Sequence, residues 1–355
     1  MSGETQKSGK VYTAAATPNI ALVKYWGKRD EKLILPMNSS ISMTMGEEFT
    51  TRTSIMFTDR ITEDIFYING DRQDLSNKDV KERFEVMDIM RRMAGTTDRA
   101  IVVSENSFPT AAGLASSASG IAAMVFAANA ALGLNLDAKE LSIIARQGSG
   151  SSCRSLAGGF VKWEKGSMAD GSDSHIRQIA NADHWPEIVD IVAIVSSSKK
   201  KVSSRAGMKQ TVETSELYKL RPKYAENSCS IIEKAIMEKD FEKFASVTIR
   251  ENNNLHAVML DTYPPIFYLN DVSKEIISAI EDLNYRAGRP IAAYTFDAGP
   301  NAQIITLEEH RDEVEKALAE IKGIEKQYIT RPGRGPRMLS DSDSLIDVNA
   351  LDIKR

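Results

Sequence analysis

Between Ser104 and Ala123 the chain reads SENSFPTAAGLASSASGIAA. This is a polar, turn-prone stretch with Pro109 and Gly113 that runs into Ala115, Ser116, Ser117, Ala118 and Ser119 and then into an alanine-rich run. A loop of small residues feeding a helix N-terminus offers unpaired backbone N–H groups and the positive end of a helix dipole, with no bulky side chain in the way. Such a place suits an anion, most often a phosphate, and the serine hydroxyls add donors or a ligand for a phosphate-bound cation. The plainer reading is close helix packing with Ser116 or Ser117 as an ordinary N-cap. The length and order of the pattern P-x-x-x-G-L-x-S-S-A favour the anion. Neither G-x-x-x-x-G-K-[ST] nor G-x-G-x-x-G occurs in the chain, so this is not a loop of either of those kinds.

Four other segments are polar where a purely structural chain would be apolar. In NIALVKYWGKR, Asn19 to Arg29, an extended backbone would place Lys24 and Lys28 on one face with Tyr25 and Trp26 between them. Solvated lysines on a strand edge would look the same. GSGSSCRS, Gly148 to Ser155, is a donor-rich loop around Arg154, the residue type that grips a carboxylate or phosphate with two parallel hydrogen bonds. SSSKKKVSS, Ser196 to Ser204, followed by Arg205, is a basic run just after an apolar strand and could meet a polyphosphate. In FDAGPN, Asp297 ends an apolar strand before a Gly-Pro turn. It either caps that turn or, beside a lysine, stays ionised and serves as a base.

The elements that must position these residues follow from periodicity. Strands are expected over Val11 to Trp26, broken by Pro18, and over Thr50–Phe57, Ile65–Ile68, Ile101–Val103, Ile188–Val195, Ala292–Phe296, Gln303–Leu307 and Tyr328–Thr330. Ile41, Met43 and Met45 alternate with Ser42 and Thr44, the pattern of a half-buried strand, and Gly158 to Trp163 reads as a turn then a strand. Asn69-Gly70 signals a hairpin turn. Helices are expected over Val80–Met93, Gly120–Leu132, from Leu141, and over Glu216–Glu238, Phe241–Arg250, Val272–Leu283 and Glu309–Ile321. Strands and helices mix without strict alternation, so the fold class is α+β. The polar tail after Met338 is expected to fray.

At 355 residues the chain is long enough for two lobes. A net charge of −4 without a long basic run disfavours a nucleic-acid groove. Cys153 and Cys229 sit in dissimilar contexts, which suggests reduced thiols in a cytoplasmic protein. His175, His184, His256 and His310 lack metal-ligand spacing. No apolar run is long enough for a membrane span, and MSGETQKSGK reads as a disordered lead rather than a signal peptide.

The serine-rich loop resembles the phosphate loop of the GHMP kinase superfamily. With NIALVKYWGKRD, LPMNSSIS, SENSFPTAAGLASSASG, GSGSSCRS, SSRAGM, PPIFYLND and AYTFDAGPNA in this order, the chain resembles the mevalonate diphosphate decarboxylases of that superfamily, from about Val11 to Gly335. The resemblance implies the GHMP kinase fold, two α+β lobes with the active-site cleft between them. Residues 1–10 are then a disordered lead, 11–190 a first lobe with the phosphate loop, 191–340 a second lobe carrying Asp297, and 341–355 a polar tail. It implies ATP-dependent decarboxylation of mevalonate 5-diphosphate to isopentenyl diphosphate, through phosphorylation of the 3-hydroxyl. A phosphomevalonate decarboxylase, a plain GHMP small-molecule kinase and a non-catalytic sensor are the alternatives.

Carried over residue by residue, the resemblance makes Asp297 the catalytic group at the 3-hydroxyl, Lys24 its partner and Arg154 the holder of the substrate carboxylate. It makes Asn19, Tyr25, Lys28, Ser149, Ser151, Ser204 and Arg205 further substrate contacts. Ser104, Asn106, Gly113, Leu114, Ala115, Ser116, Ser117 and Lys199 would meet ATP. Mg²⁺ would be held mainly by the ATP phosphates and water, with Ser116 as the one protein candidate. A homodimer is the implied assembly.

Overall fold

A computed structural model of the chain describes residues 9–108, 116–195 and 202–347. Eight helices occur among them: α1 Lys78–Ala94, α2 Ser116–Ala131, α3 Ala138–Gly148, α4 Ser204–Thr214, α5 Arg221–Glu238, α6 Phe241–Leu260, α7 Asp271–Ala287 and α8 Arg311–Ala319. They cover three main sheets.

The first sheet runs in the order Arg337–Met338, Val11–Ala16, Thr51–Thr58, Arg99–Asn106, Ile65–Ile68, Asp71–Arg72. Its pairs are antiparallel except Ile65–Ile68 with Arg99–Asn106. Asn69 and Gly70 both take positive φ, the mirror-image turn that two-residue hairpins favour. Ile55, Phe57 and Val102 bury against Met87 and Met90 of α1, Val125 of α2 and Leu141 of α3. The inward residues of α2 are mostly alanine, so this helix lies close to the sheet. Asp137 and Glu140 close a capping box at the start of α3, satisfying N–H groups that the helix cannot.

The second sheet, in the order Ile176–Ala180, Phe160–Trp163, Ser40–Thr44, Asn19–Val23, is covered by α5 and α6. The third runs Ala292–Phe296, Ala302–Leu307, Ile188–Val195, Ile324–Thr330. Its strands alternate between two cores: Ala292 and Tyr294 face α7 and α8, while Ala293 packs with α5 and α6. Helices α5 and α6 are therefore a middle layer, and one core joins Ile20, Leu22, Met43 and Phe160 of the second sheet to Ala293 and Ile305 of the third.

Several expectations need correction. Ser40–Thr44 is buried throughout, because the α5 side covers one face and the segment Gly150–Leu156 the other, so Ser42 and Thr44 are not solvent-facing. Helix α6 continues ten residues past Arg250, because its polar residues Glu251, Asn252 and His256 are buried rather than at a helix end. Helix α4 and the strand Ile176–Ala180 were not anticipated. The tail beyond Met338 does not fray through residue 347. Leu339 N–H donates to Thr13 O, Leu345 N–H donates to Ser54 Oγ at 2.8 Å, and Ile346 buries against Met56 and Ile101.

Candidate active site

Two edge strands end where the candidate site begins. Lys24 follows Asn19–Val23 directly, and Asp297 follows Ala292–Phe296. Lys24 Nζ donates to Asp297 Oδ1 at 2.8 Å; the lysine side chain is 2% exposed and the aspartate 45%. Burial lowers the Lys24 pKa from the ordinary lysine value, while the Asp297 charge pulls the other way. The pair thus combines an enclosed, acidified ammonium with a carboxylate open to a ligand. Residues 24–27 belong to no strand and Gly27 takes a positive φ before the strand that begins at Lys28, so Lys24 and Lys28 do not share one strand as expected.

Arg154 lies in the 3-10 stretch Gly150–Leu156 that follows α3. It is buried, and its Nη1 donates to Ser40 Oγ at 2.8 Å and its Nε to Asn19 Oδ1 at 3.2 Å. The Asn19 amide nitrogen donates to Ser155 Oγ at 2.8 Å and to Ser151 O at 3.1 Å. Both ends of Asn19 are engaged by the arginine segment. Asn19 thus holds Arg154 in place. The Tyr25 ring packs on Trp163 with centroids 4.9 Å apart, and its hydroxyl is buried without a hydrogen-bond partner among the described residues. Only glycine fits at position 150, since a Cβ there would sit 2.6 Å from Tyr25 Cε1. Ser149 and Ser151 are half-buried beside it, their hydroxyls 3.5 Å apart.

Both cations expected to hold a diphosphate have carboxylate partners. Lys28 Nζ donates to Glu31 Oε2 at 2.5 Å, and Arg205 pairs with Glu82 of α1. Arg205 and Ser204 lie in the first turn of α4, where the Ser203 hydroxyl caps the helix by accepting the Ala206 N–H. Gly27, at φ +96°, turns the chain between Lys24 and Lys28. A side chain there would collide with the Tyr218 hydroxyl, which donates to Trp26 O at 2.6 Å.

Of the residues expected to meet ATP, Ser104 Oγ lies 2.9 Å from Thr53 Oγ1, and Asn106 Oδ1 accepts from Thr51 Oγ1 at 2.7 Å. Thr51 Oγ1 is in turn 2.6 Å from Ser119 Oγ in α2. Both residues belong to the strand Arg99–Asn106, and Ser117 is half-buried in the first turn of α2. Gly113, Leu114, Ala115, Lys199 and the Ser116 side chain lie outside the described residues. No acidic residue occupies the first turn of α2, so the positive end of that helix is uncompensated. That fits an anionic ligand. Among the described residues no group of three His, Cys, Asp or Glu side chains could hold a metal ion.

Sequence reasoning missed the residues that support the site. Ser40 stood inside a quoted segment but had no assigned role. Glu31 and Glu82 gave no signal, because a surface carboxylate near a cation is ordinary. Glu251 did leave a trace. Phe244, Val247, Glu251, Leu255 and Val258 recur at helical spacing, which puts a carboxylate on the core-facing stripe of α6. It is fully buried and paired with Arg221 at 3.0 Å.

The chain matches two family models. One is described as diphosphomevalonate decarboxylase-like N-terminal domain, over residues 16–176. The other is mevalonate 5-diphosphate decarboxylase C-terminal domain, over residues 190–336. It is 47% identical over 320 residues to a diphosphomevalonate decarboxylase of Gibberella zeae, covering 85% of this chain and 83% of that one. Among solved structures it is similar to a mevalonate diphosphate decarboxylase from Trypanosoma brucei, with a TM-score of 0.87, 34% identity and coverage of 95% and 100% of the two chains. A structure described as "MDDEF in complex with MVAPP, AMPPCP and Magnesium" gives a TM-score of 0.85 at 38% identity, covering 93% and 99%.

Proposed function

Because this chain belongs to the diphosphomevalonate decarboxylase family, we propose that its cleft converts mevalonate 5-diphosphate and ATP to isopentenyl diphosphate, ADP, phosphate and carbon dioxide, with Asp297, Lys24 and Arg154 at the reacting atoms. The observation that carries the residue roles is the 2.8 Å contact between a buried lysine and a half-exposed aspartate, with a buried arginine in electrostatic reach of both.

A tertiary hydroxyl is a poor leaving group and must first become a phosphate ester. Asp297 accepts the proton of the 3-hydroxyl as its oxygen bonds to the γ-phosphorus of ATP and ADP departs. Lys24 keeps Asp297 ionised and offsets charge on the transferring group. The C3–O bond then breaks with its electrons leaving on phosphate. The C1–C2 bond breaks in turn, and its electrons form the C2–C3 double bond as carbon dioxide departs. Arg154 holds the carboxylate in line for this step. Bound magnesium would neutralise phosphate charge, and the residues suited to the nucleotide phosphates are Ser116, Ser117 and the backbone of 113–115, with Ser104, Asn106 and Lys199 nearby. The substrate diphosphate takes the place of Glu31 on Lys28 and of Glu82 on Arg205, alongside Tyr25, Ser149, Ser151 and Ser204. A cytoplasmic homodimer belongs to the same reading, supported by the family resemblance.

The test is incubation with Mg-ATP and either mevalonate 5-diphosphate or its 5-monophosphate, with carbon dioxide and ADP measured together. Stoichiometric release with the diphosphate, at a kcat/KM about a hundredfold or more above the monophosphate, is expected if two charge-assisted contacts are lost with the shorter substrate. ADP without carbon dioxide would make the protein a plain kinase. A preference for the monophosphate would make it a phosphomevalonate decarboxylase.

A further inference from the structure

Lys24 and Asp297 come from different lobes, yet they meet through the same turn of one helix. Strand Asn19–Val23 is at the edge of the second sheet and Ala292–Phe296 at the edge of the third. An edge strand leaves backbone groups without a ladder partner, and buried backbone groups need one. At the site, α6 supplies them. The Lys24 N–H donates to Glu251 Oε2 at 3.2 Å. The same oxygen accepts from Arg221 Nη2 at 3.0 Å, and that nitrogen also donates to Lys24 O at 3.1 Å. Asn38 Nδ2 adds a second donor to Lys24 O at 3.0 Å. The next residue of the helix, Asn252, accepts the N–H of Phe296, directly before Asp297, at 2.8 Å.

Successive helix residues point about 100° apart. Glu251 and Asn252 can therefore reach two strands on two sides of one helix. Both are buried, and Arg221 and Glu251 have no side-chain exposure at all. Arg221 is further fixed by Asn254 of α6.

We propose that Glu251 and Asn252, with Arg221, are positioning residues that set the Lys24–Asp297 contact by holding the backbone on either side of it. This rests on the catalytic roles assigned to that pair. Helix α6 is the reference to which both strands are registered. Misplacement of reacting groups by as little as about 1 Å lowers rates by roughly a hundredfold, so the frame acts on the chemical step rather than on affinity.

The experiment compares Glu251→Gln and Asn252→Leu with wild type, each also in the Asp297→Asn background. In the wild-type background kcat is expected to fall by about 10–100-fold, with KM for both substrates within about twofold. In the Asp297→Asn background the same changes should cost less than about threefold more, because the base they position is already gone. Equal losses in the two backgrounds, a KM rise that accounts for the loss, or unchanged kcat would overturn the proposal. A readout independent of turnover is hydrogen exchange of the Lys24 amide in the folded full-length chain. It should be protected in wild type and markedly faster in Glu251→Gln, and unchanged protection would equally overturn the frame. If wild type fails to turn over mevalonate 5-diphosphate, the assigned reaction fails, and the exchange result still decides the frame.

Discussion

At Asp297 the half-exposed partner of an ion pair meets solvent while the other partner, Lys24, is buried. That asymmetry predicts what Asp297→Asn does. Shape is retained and the base is lost, so kcat should fall by roughly 100-fold or more while ATP and substrate still bind. Single-turnover kinetics beside calorimetric binding checks it, and near-normal turnover would remove Asp297 from the chemistry. His256 makes a second prediction. Burial and the nearby Lys24 charge hold its pKa down to about 4, against about 6.5 in an unfolded chain. The folded state favours the neutral ring, so its contribution is complete above about pH 6.5 and is lost as pH falls towards 4, on the order of 3 kcal/mol in all. Urea midpoints at about pH 7 and about pH 5 should diverge less in His256→Asn than in wild type. Lys24, Arg154 and Asp297, the residues to which the chemistry is assigned, stood out in the sequence because they stand in ordered polar motifs. His256 and Asp190 did not, since a buried titratable side chain looks like any other until its surroundings are known.

Among the elements, α1 and α4 meet across the cleft through Glu82 and Arg205. An ion pair this exposed is worth about 0.2–1 kcal/mol. Glu82→Gln releases Arg205 for the substrate, so KM for the diphosphate should fall by about two- to fivefold with kcat unchanged. Steady-state kinetics on both phosphorylated substrates decides this, and a raised KM would place Glu82 among the binding groups instead. Strand placement was read well where the pattern was local: Ile188–Val195 and Ala292–Phe296 are found where expected. Elements failed where tertiary hydrogen bonds overrode local polarity. Asn253 and Asn254 look like a helix end, yet Asn253 meets Tyr294 and Asn254 meets Arg221, so α6 continues through them. Helix α4 starts at the last serine of the basic run 196–204, where no helical periodicity had been read.

For the whole molecule, the joint read near Ile188 divides the chain but not the core. Ile20 and Met43 of the first half share one cluster with Ile232, Phe244 and Ile305 of the second. Two lobes that share a core should unfold as one unit, whereas separable domains would give two transitions. Cutting the chain after Gly335 should then do more than shorten it. It removes the strand that pairs Met338 with Ala14 and the Ile346 contact with Met56. The shortened protein should melt several degrees lower, as expected for a loss of about 1–3 kcal/mol in a chain of this size. It should also associate through its bared edge. Calorimetry and light scattering of the two lengths test both outcomes, and identical melting would mean that the strand adds nothing.

That closing strand also bears on synthesis. A nascent chain emerges N-terminus first, and its early segments begin to fold before the rest exists. Here Val11–Ala16 receives its outer neighbour Arg337–Met338 only after the strands of the second and third sheets have been made. Its inner neighbour Thr51–Thr58 comes early. During elongation the first sheet therefore carries an open edge beside finished pairing. The second sheet waits as well, because α5 and α6, which cover it, are made after it. The sharing of layers makes the growing chain dependent on whatever shields those apolar faces until Arg337–Met338 arrives.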